Sequence, residues 1–233
     1  MRAITPFRLE TFTEPASRFH ARDLLDDPTP RVVVCRSTTR ELVLGSVQRY
    51  LVVDDGACER LGIDVTRRRS GGGAVLVEPD ALVWFDVVVP ADDARFADVA
   101  GDVTASMRWL GGHVLTALTT VIDGTAATIR ADELAVHDGP TDAAEWGRLV
   151  CFAGIAPGEV SAGGHKLVGI SQRRTRAGSR FQCAIHTRWA SGTLVQLLAA
   201  PGLTAADLPA VASVTPDVAD ALPRALVAVL DVR

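Results

Sequence analysis

The stretch Ala81 to Pro90 (Ala-Leu-Val-Trp-Phe-Asp-Val-Val-Val-Pro) is the longest apolar run in the chain. It contains Asp86 and is too short to span a bilayer. β-Branched and aromatic side chains dominate Leu82 to Val89, a composition that suits a pleated surface. Pro79-Asp80 turns the chain just before it. Leu82 to Val89 reads as a buried strand, and the rest of the sequence has to supply the sheet around it.

Further strands are expected at Arg31–Cys35 and Glu41–Val47, joined by the polar Ser37-Thr38-Thr39, and at Asp64–Arg68 and Ala74–Glu78, separated by Gly71-Gly72-Gly73. Leu134–Val136 and Phe181–Ile185 add two more. Glu159-Val160 and Lys166–Gln172 read as a hairpin around Ala162-Gly163-Gly164. A helix is expected over Ala16–Leu25, stopped by Pro28 and Pro30, and another over Asp54–Leu61, with Asp54 or Asp55 near its cap and Gly62 at its end. Phe96, Val99, Val103, Met107, Leu110, Val114 and Leu118 recur at helical spacing and predict a helix over Arg95–Val121, bent or loosened at Gly111-Gly112. Thr193–Leu198 and Val218–Leu230 read as helices, the second interrupted at Pro223. Strands outnumber helices and mostly come in hairpins. The expected class is α+β, with a mixed, largely antiparallel sheet and helices packed on it. With 233 residues, the division expected is a catalytic domain over residues 1–200 and a C-terminal helical extension over 201–233, packed on the same domain.

Composition narrows the function. The residues are 48% apolar and 22% charged, as in a soluble globular protein. Met1 to Glu10 lack a charged start followed by an apolar stretch, so no signal peptide is expected and the cytoplasm is the expected location. A net charge of −4 argues against nucleic acid as the main ligand, and no membrane partner is expected. Cys35, Cys58, Cys151 and Cys183 show no CxxC spacing, which speaks against a disulfide framework and excludes a zinc ribbon. His20, His113, His137, His165 and His186 are dispersed without ligand spacing, so no metal site is expected. There is no GxSxG nucleophile elbow.

Histidines aside, every basic residue except one is arginine; the single lysine is Lys166, and the chain has no asparagine. A bias of this strength converts tolerant lysines to arginine, so a surviving lysine points to a need for a compact, rotatable ammonium. Lys166 sits in Gly164-His165-Lys166-Leu167-Val168-Gly169-Ile170-Ser171-Gln172-Arg173-Arg174. There it can hold a carboxylate or phosphate, or polarise an acyl carbonyl. The second motif is Arg67-Arg68-Arg69-Ser70-Gly71-Gly72-Gly73-Ala74-Val75. Three glycines between strands let backbone approach a ligand and present N–H groups to an anion, and the arginines add charge. Neither segment has GxGxxG or P-loop spacing.

Together these motifs resemble the lipoate–protein ligase, octanoyltransferase and biotin ligase superfamily. Its members carry an arginine-rich strand ending in a Ser-Gly-Gly-Gly-Ala-Val-like loop, followed by a Gly-x-Lys-(hydrophobic)-x-Gly-x-(Ala/Ser)-Gln-Arg-Arg segment. Leu44-Gly45-Ser46-Val47-Gln48, Cys151-Phe152 and Phe181-Gln182 fit the same order, and the likeness covers roughly Ala16 to Trp189. The chain departs from the family pattern at Val77-Glu78, at Trp84-Phe85-Asp86 and at Cys183-Ala184. These departures leave the acyl substrate and its activation open.

The resemblance implies a biotin/lipoate ligase-like catalytic domain in a short form, without the accessory domain of the bipartite bacterial ligase. It implies attachment of lipoate or octanoate to a lysine of acceptor domains in 2-oxoacid dehydrogenases or of the glycine-cleavage H protein. As a ligase the chain would use ATP and Mg2+ to make an acyl-adenylate. The alternatives are an octanoyltransferase that takes its chain from acyl carrier protein through a Cys151/Lys166 pair, and a non-catalytic acyl- or biotin-binding protein of the same fold. Carried onto this sequence, Lys166 and Cys151 are the catalytic candidates. Arg69, Ser70, Gly71, Gly72, Gly73, Ala74, Val75, Gly169, Ser171 and Gln172 are the candidates for binding the acyl-adenylate. Val75, Leu76 and Val168 are the candidate walls of an apolar tunnel for the tail.

Overall fold

The computed structural model describes residues 5–124, 129–143 and 145–232. Of the N-terminal stretch read for a signal peptide, residues 1–4 lie outside these. The centre is a seven-stranded sheet in the order β1-β2-β6-β12-β11-β10-β7. Its strands are β1 (Arg8–Glu14), β2 (Arg31–Ser37), β6 (Leu82–Pro90), β7 (Leu134–Val136), β10 (Val160–Ala162), β11 (His165–Arg174) and β12 (Gly178–His186). All neighbours are antiparallel except β1 and β2. A second sheet, in the order β4-β3-β5, is made of β3 (Glu41–Leu44), β4 (Asp64–Arg67) and β5 (Val75–Val77).

The apolar run forms β6, between β2 and β12, and all its residues are buried. Its period-two alternation separates two cores. Val83, Phe85, Val87 and Val89 face α3 (Val103–Asp123) and α5 (Pro216–Leu230), whereas Leu82, Trp84 and Val88 face α1 (Ala16–Ala21) and the small sheet. A third core lies behind the small sheet, where α2 (Asp55–Leu61) and α4 (Ser191–Gln196) add Cys58 and Leu194 to Leu42, Leu44 and Leu76. The long helices therefore cover one face only, and sheet covers much of the other. Among the described residues no helix is long and apolar enough to cross a membrane.

Several element boundaries differ from expectation. β1 was not expected: it is an edge strand whose side chains are mostly exposed, so no apolar period marks it. α1 stops at Ala21, where Arg22 turns extended and its guanidinium closes on Glu14 at 2.7 Å. α3 begins at Val103, capped by Asp102, and residues 95–102 are turns that carry Phe96 into the core. α3 also runs unbroken through Gly111-Gly112. Gly111 is there for contact: a Cβ on it would lie 2.0 Å from the Gly158 carbonyl oxygen. α5 likewise continues through Pro223, with Pro216 at its start. It packs on α3 in the largest core. Asp54 is the N-cap of α2, and Gly62 ends it at φ 62°. A short pair, β8 (Asp142–Ala143) with β9 (Gly154–Ile155), lies between β7 and β10 and was not foreseen.

Candidate active site

The loop between β4 and β5 is organised from within by Arg68, which is 1% exposed. Its guanidinium donates to the carbonyls of Gly71 at 2.6 Å, Gly73 at 2.9 Å and Val43 at 3.3 Å. The loop carbonyls are turned inward, and among the described residues the backbone N–H groups of Gly71, Gly72 and Gly73 donate to no protein acceptor. Gly72 has φ 96°, and a Cβ there would lie 2.7 Å from the Arg68 guanidinium. Gly73 lies against the backbone of Val150 and Cys151, where a Cβ would come within 2.6 Å. Gln48 braces the same corner, accepting from Gly45 N–H at 2.9 Å and donating to the Leu149 carbonyl at 3.0 Å.

β11 brings the lysine to this loop. Ser161 pairs with Lys166 and Val160 with Val168, so Leu167 is an extra residue in the ladder. The bulge brings Lys166 to the same side as Gly169: a Cβ on Gly169 would meet Lys166 Cε at 3.3 Å and the Phe152 ring at 3.2 Å. The ammonium is 2.7 Å from Glu159 Oε2 and donates to the carbonyls of Cys151 at 2.9 Å and Gly154 at 3.0 Å, with the Phe152 ring centroid 5.0 Å away. Ser171 joins the two motifs through a 2.8 Å contact between its Oγ and that of Ser70, and Gln182 Oε1 accepts the Ser70 N–H at 3.3 Å.

Gly72, Gly73, Cys151, Glu159, Lys166 and Ser171 share one cavity of about 220 Å3, with Ile155, Ala156 and Ile170 as apolar wall. Lys166 also lines a second cavity of about 180 Å3 with Phe152, Ile155, His165 and Pro209. Beneath the glycine loop a slot between Val75, Trp84, Gln182 and Ala184 measures only about 10 Å3, room for no more than one water. Trp84 forms one of its walls, its indole N–H donating to Asp86 at 2.9 Å. Behind Trp84 and Gln182 lies a buried polar cluster. Asp86 pairs with Arg180 at 2.5 Å, and His20 packs on Trp84 with ring centroids 4.6 Å apart. Burial, with Arg180 and Arg68 nearby, depresses the His20 imidazole to about 3. Burial likewise depresses His186, set edge-on against Phe152 and Trp189, to about 4.

Most of the residues singled out from sequence meet here. Lys166, Cys151, Ser70, Gly71, Gly72, Gly73, Gly169 and Ser171 surround the cavity or hold its rim, and Val75 lines the slot. Four others do not. Arg69 is turned outward, paired with Asp23 and donating to the Ala21 carbonyl; Arg68 is the arginine inside the loop. Gln172 points to the helical face, where it meets Ser106 and Ser179 at 3.2 Å. Of the expected tunnel walls, Leu76 belongs to the core behind the small sheet and Val168 to the core under α3. Ala74 serves through its backbone, bonded to Leu149 and Cys151. Glu159 was missed as a functional residue because it reads as the start of a strand. The lone lysine was its only signal: a buried ammonium needs a counter-charge.

Residues 18–229 match the family model of the lipoyl protein ligase A/B catalytic domain. No curated protein sequence matches the chain. Solved structures with the same fold include a bipartite lipoate protein ligase studied with its E2 lipoyl domain from Thermoplasma acidophilum. It is 19% identical, with 98% of this chain and 85% of that chain covered and a TM-score of 0.68. A lipoate protein ligase candidate from T. acidophilum with bound lipoic acid is 21% identical, covering 98% and 88% at a TM-score of 0.67. Lipoate-protein ligase A bound with ATP is 19% identical, covering 97% and 86% at a TM-score of 0.64.

Proposed function

Because this chain belongs to the lipoyl protein ligase A/B catalytic domain family, we propose that it attaches lipoate or octanoate to a lysine of a lipoyl acceptor domain through an acyl-adenylate made from ATP. One observation carries the reading: Lys166 lines the same cavity as Gly72 and Gly73, whose N–H groups have no acceptor among the described residues. Donors fixed in this way favour an anionic oxygen, and a partly enclosed site strengthens them. Acyl and phosphate oxygens would lie between the loop and Lys166 while the acceptor amine attacks the mixed anhydride, forming the amide and releasing AMP. Glu159 is the acidic side chain on this cavity wall, and its oxygens already serve three donors. Mg2+ arriving with ATP would take most of its ligands from phosphate and water. Each methylene of an eight-carbon tail buried against Ile155 and Ala156 contributes about 0.8 kcal/mol. Acceptor domains of 2-oxoacid dehydrogenases, or the glycine-cleavage H protein, are the proposed partners, and the cytoplasm the proposed location.

A second reading is favoured by Cys151. Its thiol faces Gly72, with Sγ 3.8 Å from where a Cβ would sit, and its carbonyl holds Lys166. In an octanoyltransferase its thiolate would attack the thioester of an acyl carrier protein, release the carrier thiol and keep the acyl group as a new thioester. The acceptor lysine would then take that group as an amide and return the thiol. The deciding experiment incubates pure protein and an apo acceptor domain with ATP plus lipoate, ATP plus octanoate, or octanoyl-carrier. Wild type and Cys151→Ser are compared by intact mass. A ligase modifies the acceptor with ATP in both proteins. An adduct on wild-type Cys151, with Cys151→Ser inactive, establishes the transferase. No product from any donor leaves only a binding protein.

A further inference from the structure

Lys166 enters the cavity with all its hydrogens engaged. An ammonium donates three, and three acceptors surround it: Glu159 at 2.7 Å and the carbonyls of Cys151 and Gly154 at 2.9 and 3.0 Å. A substrate oxygen can be held only if one of them is released. The carboxylate is held by two donors besides the lysine. Its Oε1 accepts the Ile170 N–H at 2.9 Å and its Oε2 the Ala156 N–H at 2.8 Å. The backbone below is clamped too: the Glu159 carbonyl accepts from His137 at 2.8 Å, and Gly158 N–H donates to the His137 carbonyl at 2.9 Å. Gly158, at φ 87°, lies against α3, where a Cβ on it would come 2.3 Å from the Met107 oxygen. The contact at Gly111, 2.0 Å for an added Cβ, closes the same joint. Glu159 is thus mounted on the core, whereas Lys166 reaches it on a flexible stem.

We propose that Glu159 is the positioning residue of this site, holding the Lys166 ammonium at a fixed depth so that a substrate oxygen displaces a backbone carbonyl while the carboxylate contact persists. The charged contact is the stronger one, so a carbonyl is exchanged first. The lysine charge is then balanced before substrate arrives, and the substrate meets a directed N–H in place of a mobile cation. This inference rests on the acyl-transfer reading of the cavity.

Lys166 is the only lysine, so acetylation by sulfosuccinimidyl acetate, mapped by peptide mass to separate the N-terminal amine, reports on it directly. Glu159→Asp keeps the charge and withdraws it by one methylene; Glu159→Gln keeps the length and removes the charge. In folded Glu159→Asp the structure leads us to expect Lys166 labelling at least about tenfold faster than wild type. It should also show kcat for acyl transfer at least about tenfold lower with KM for the acyl donor within about threefold. Glu159→Gln should label faster still. Labelling of both variants at the wild-type rate, or an unchanged kcat in folded Glu159→Asp, overturns the proposal. So does failure of Glu159→Asp to fold, which would make the carboxylate a framework group. If wild type transfers no acyl group from any donor, the functional reading fails, and the labelling rates still decide whether Glu159 holds the lysine.

Discussion

Replacing Lys166 by methionine measures how much stability resides in one buried ion pair. The two side chains are 6% and 4% exposed and 2.7 Å apart. Methionine matches the unbranched stem and leaves the Glu159 carboxylate inside the protein with only the N–H groups of Ala156 and Ile170. Removing one partner of a buried pair costs about 3–5 kcal/mol. The Cys151 and Gly154 carbonyls also lose a donor, which places the expected loss in the upper half of that range. Against a total stability of about 5–15 kcal/mol for a domain, the variant stays measurable. Adding Glu159→Gln removes the stranded charge and should recover about 2 kcal/mol. The rest stays lost, because an amide oxygen cannot serve the donors that two carboxylate oxygens serve. Urea unfolding of wild type, both single variants and the double variant at neutral pH closes the cycle. A Lys166→Met protein within about 0.5 kcal/mol of wild type, or a coupling below that size, would mean that the ammonium is effectively solvated and the pair contributes little.

Lys166→Arg should fold yet lose nearly all acyl transfer, because the larger head overpacks a site where Gly169 and Phe152 already touch the lysine stem; activity within about threefold, roughly 0.7 kcal/mol, refutes the role. Gly72→Val should cost about 2–4 kcal/mol, since it forces a β-branched residue to φ 96° and pushes on Arg68, and it should weaken acyl-donor binding; unchanged donor affinity by calorimetry would remove the loop from the site. The pH dependence follows from His20 and His186, depressed from 6.5 to about 3 and about 4. The unfolded chain takes up their protons near 6.5 and the native state does not, so their contribution is complete above that pH. It falls as pH drops toward about 4, by up to about 1.4 kcal/mol per pH unit for each histidine. Denaturant midpoints between neutral pH and pH ~5 test this, and a flat profile contradicts it. Trp84→Ala should cost about 3–5 kcal/mol and leave the preference among straight-chain acyl donors unchanged, because the proposed tail lies against Ile155 and Ala156. A shift to longer chains in the folded variant would place the tail under the glycine loop.

Local chemistry marked the parts of this site that the chain carries in consecutive residues. The triple glycine was visible because a loop that must present N–H groups and accept close backbone cannot carry side chains. Lys166 stood out because arginine replaces lysine wherever the requirement is only charge. Spacing was less informative within β11. Strict alternation would put Lys166 and Gly169 on opposite faces, and the bulge at Leu167 reverses that. Beyond the bulge alternation resumes: Gly169 and Ser171 face the site, whereas Gln172, expected there, shares the α3 face with Val168 and Ile170. The arginine triplet shows the same limit. Three identical neighbours carry no mark of which one turns inward, and packing selected Arg68 and left Arg69 to Asp23.

The α+β class, the buried strand over Leu82–Val89, the glycine loop and the lysine were all legible without the fold, because each depends on residues close together in the chain. Tertiary structure alone decided the partners of that lysine. Glu159 is held to its depth by His137, just after β7, and by contact between Gly111 and Gly158, 47 positions apart by their numbers. Gly111 therefore looked like a weak point in a helix, although its missing side chain is what lets the helix and the loop touch. The narrow slot beside Trp84 has the same origin. Strand pairing of β6 with β12 places the indole opposite Ala184, and the free volume left there depends on side chains from segments that no local pattern links.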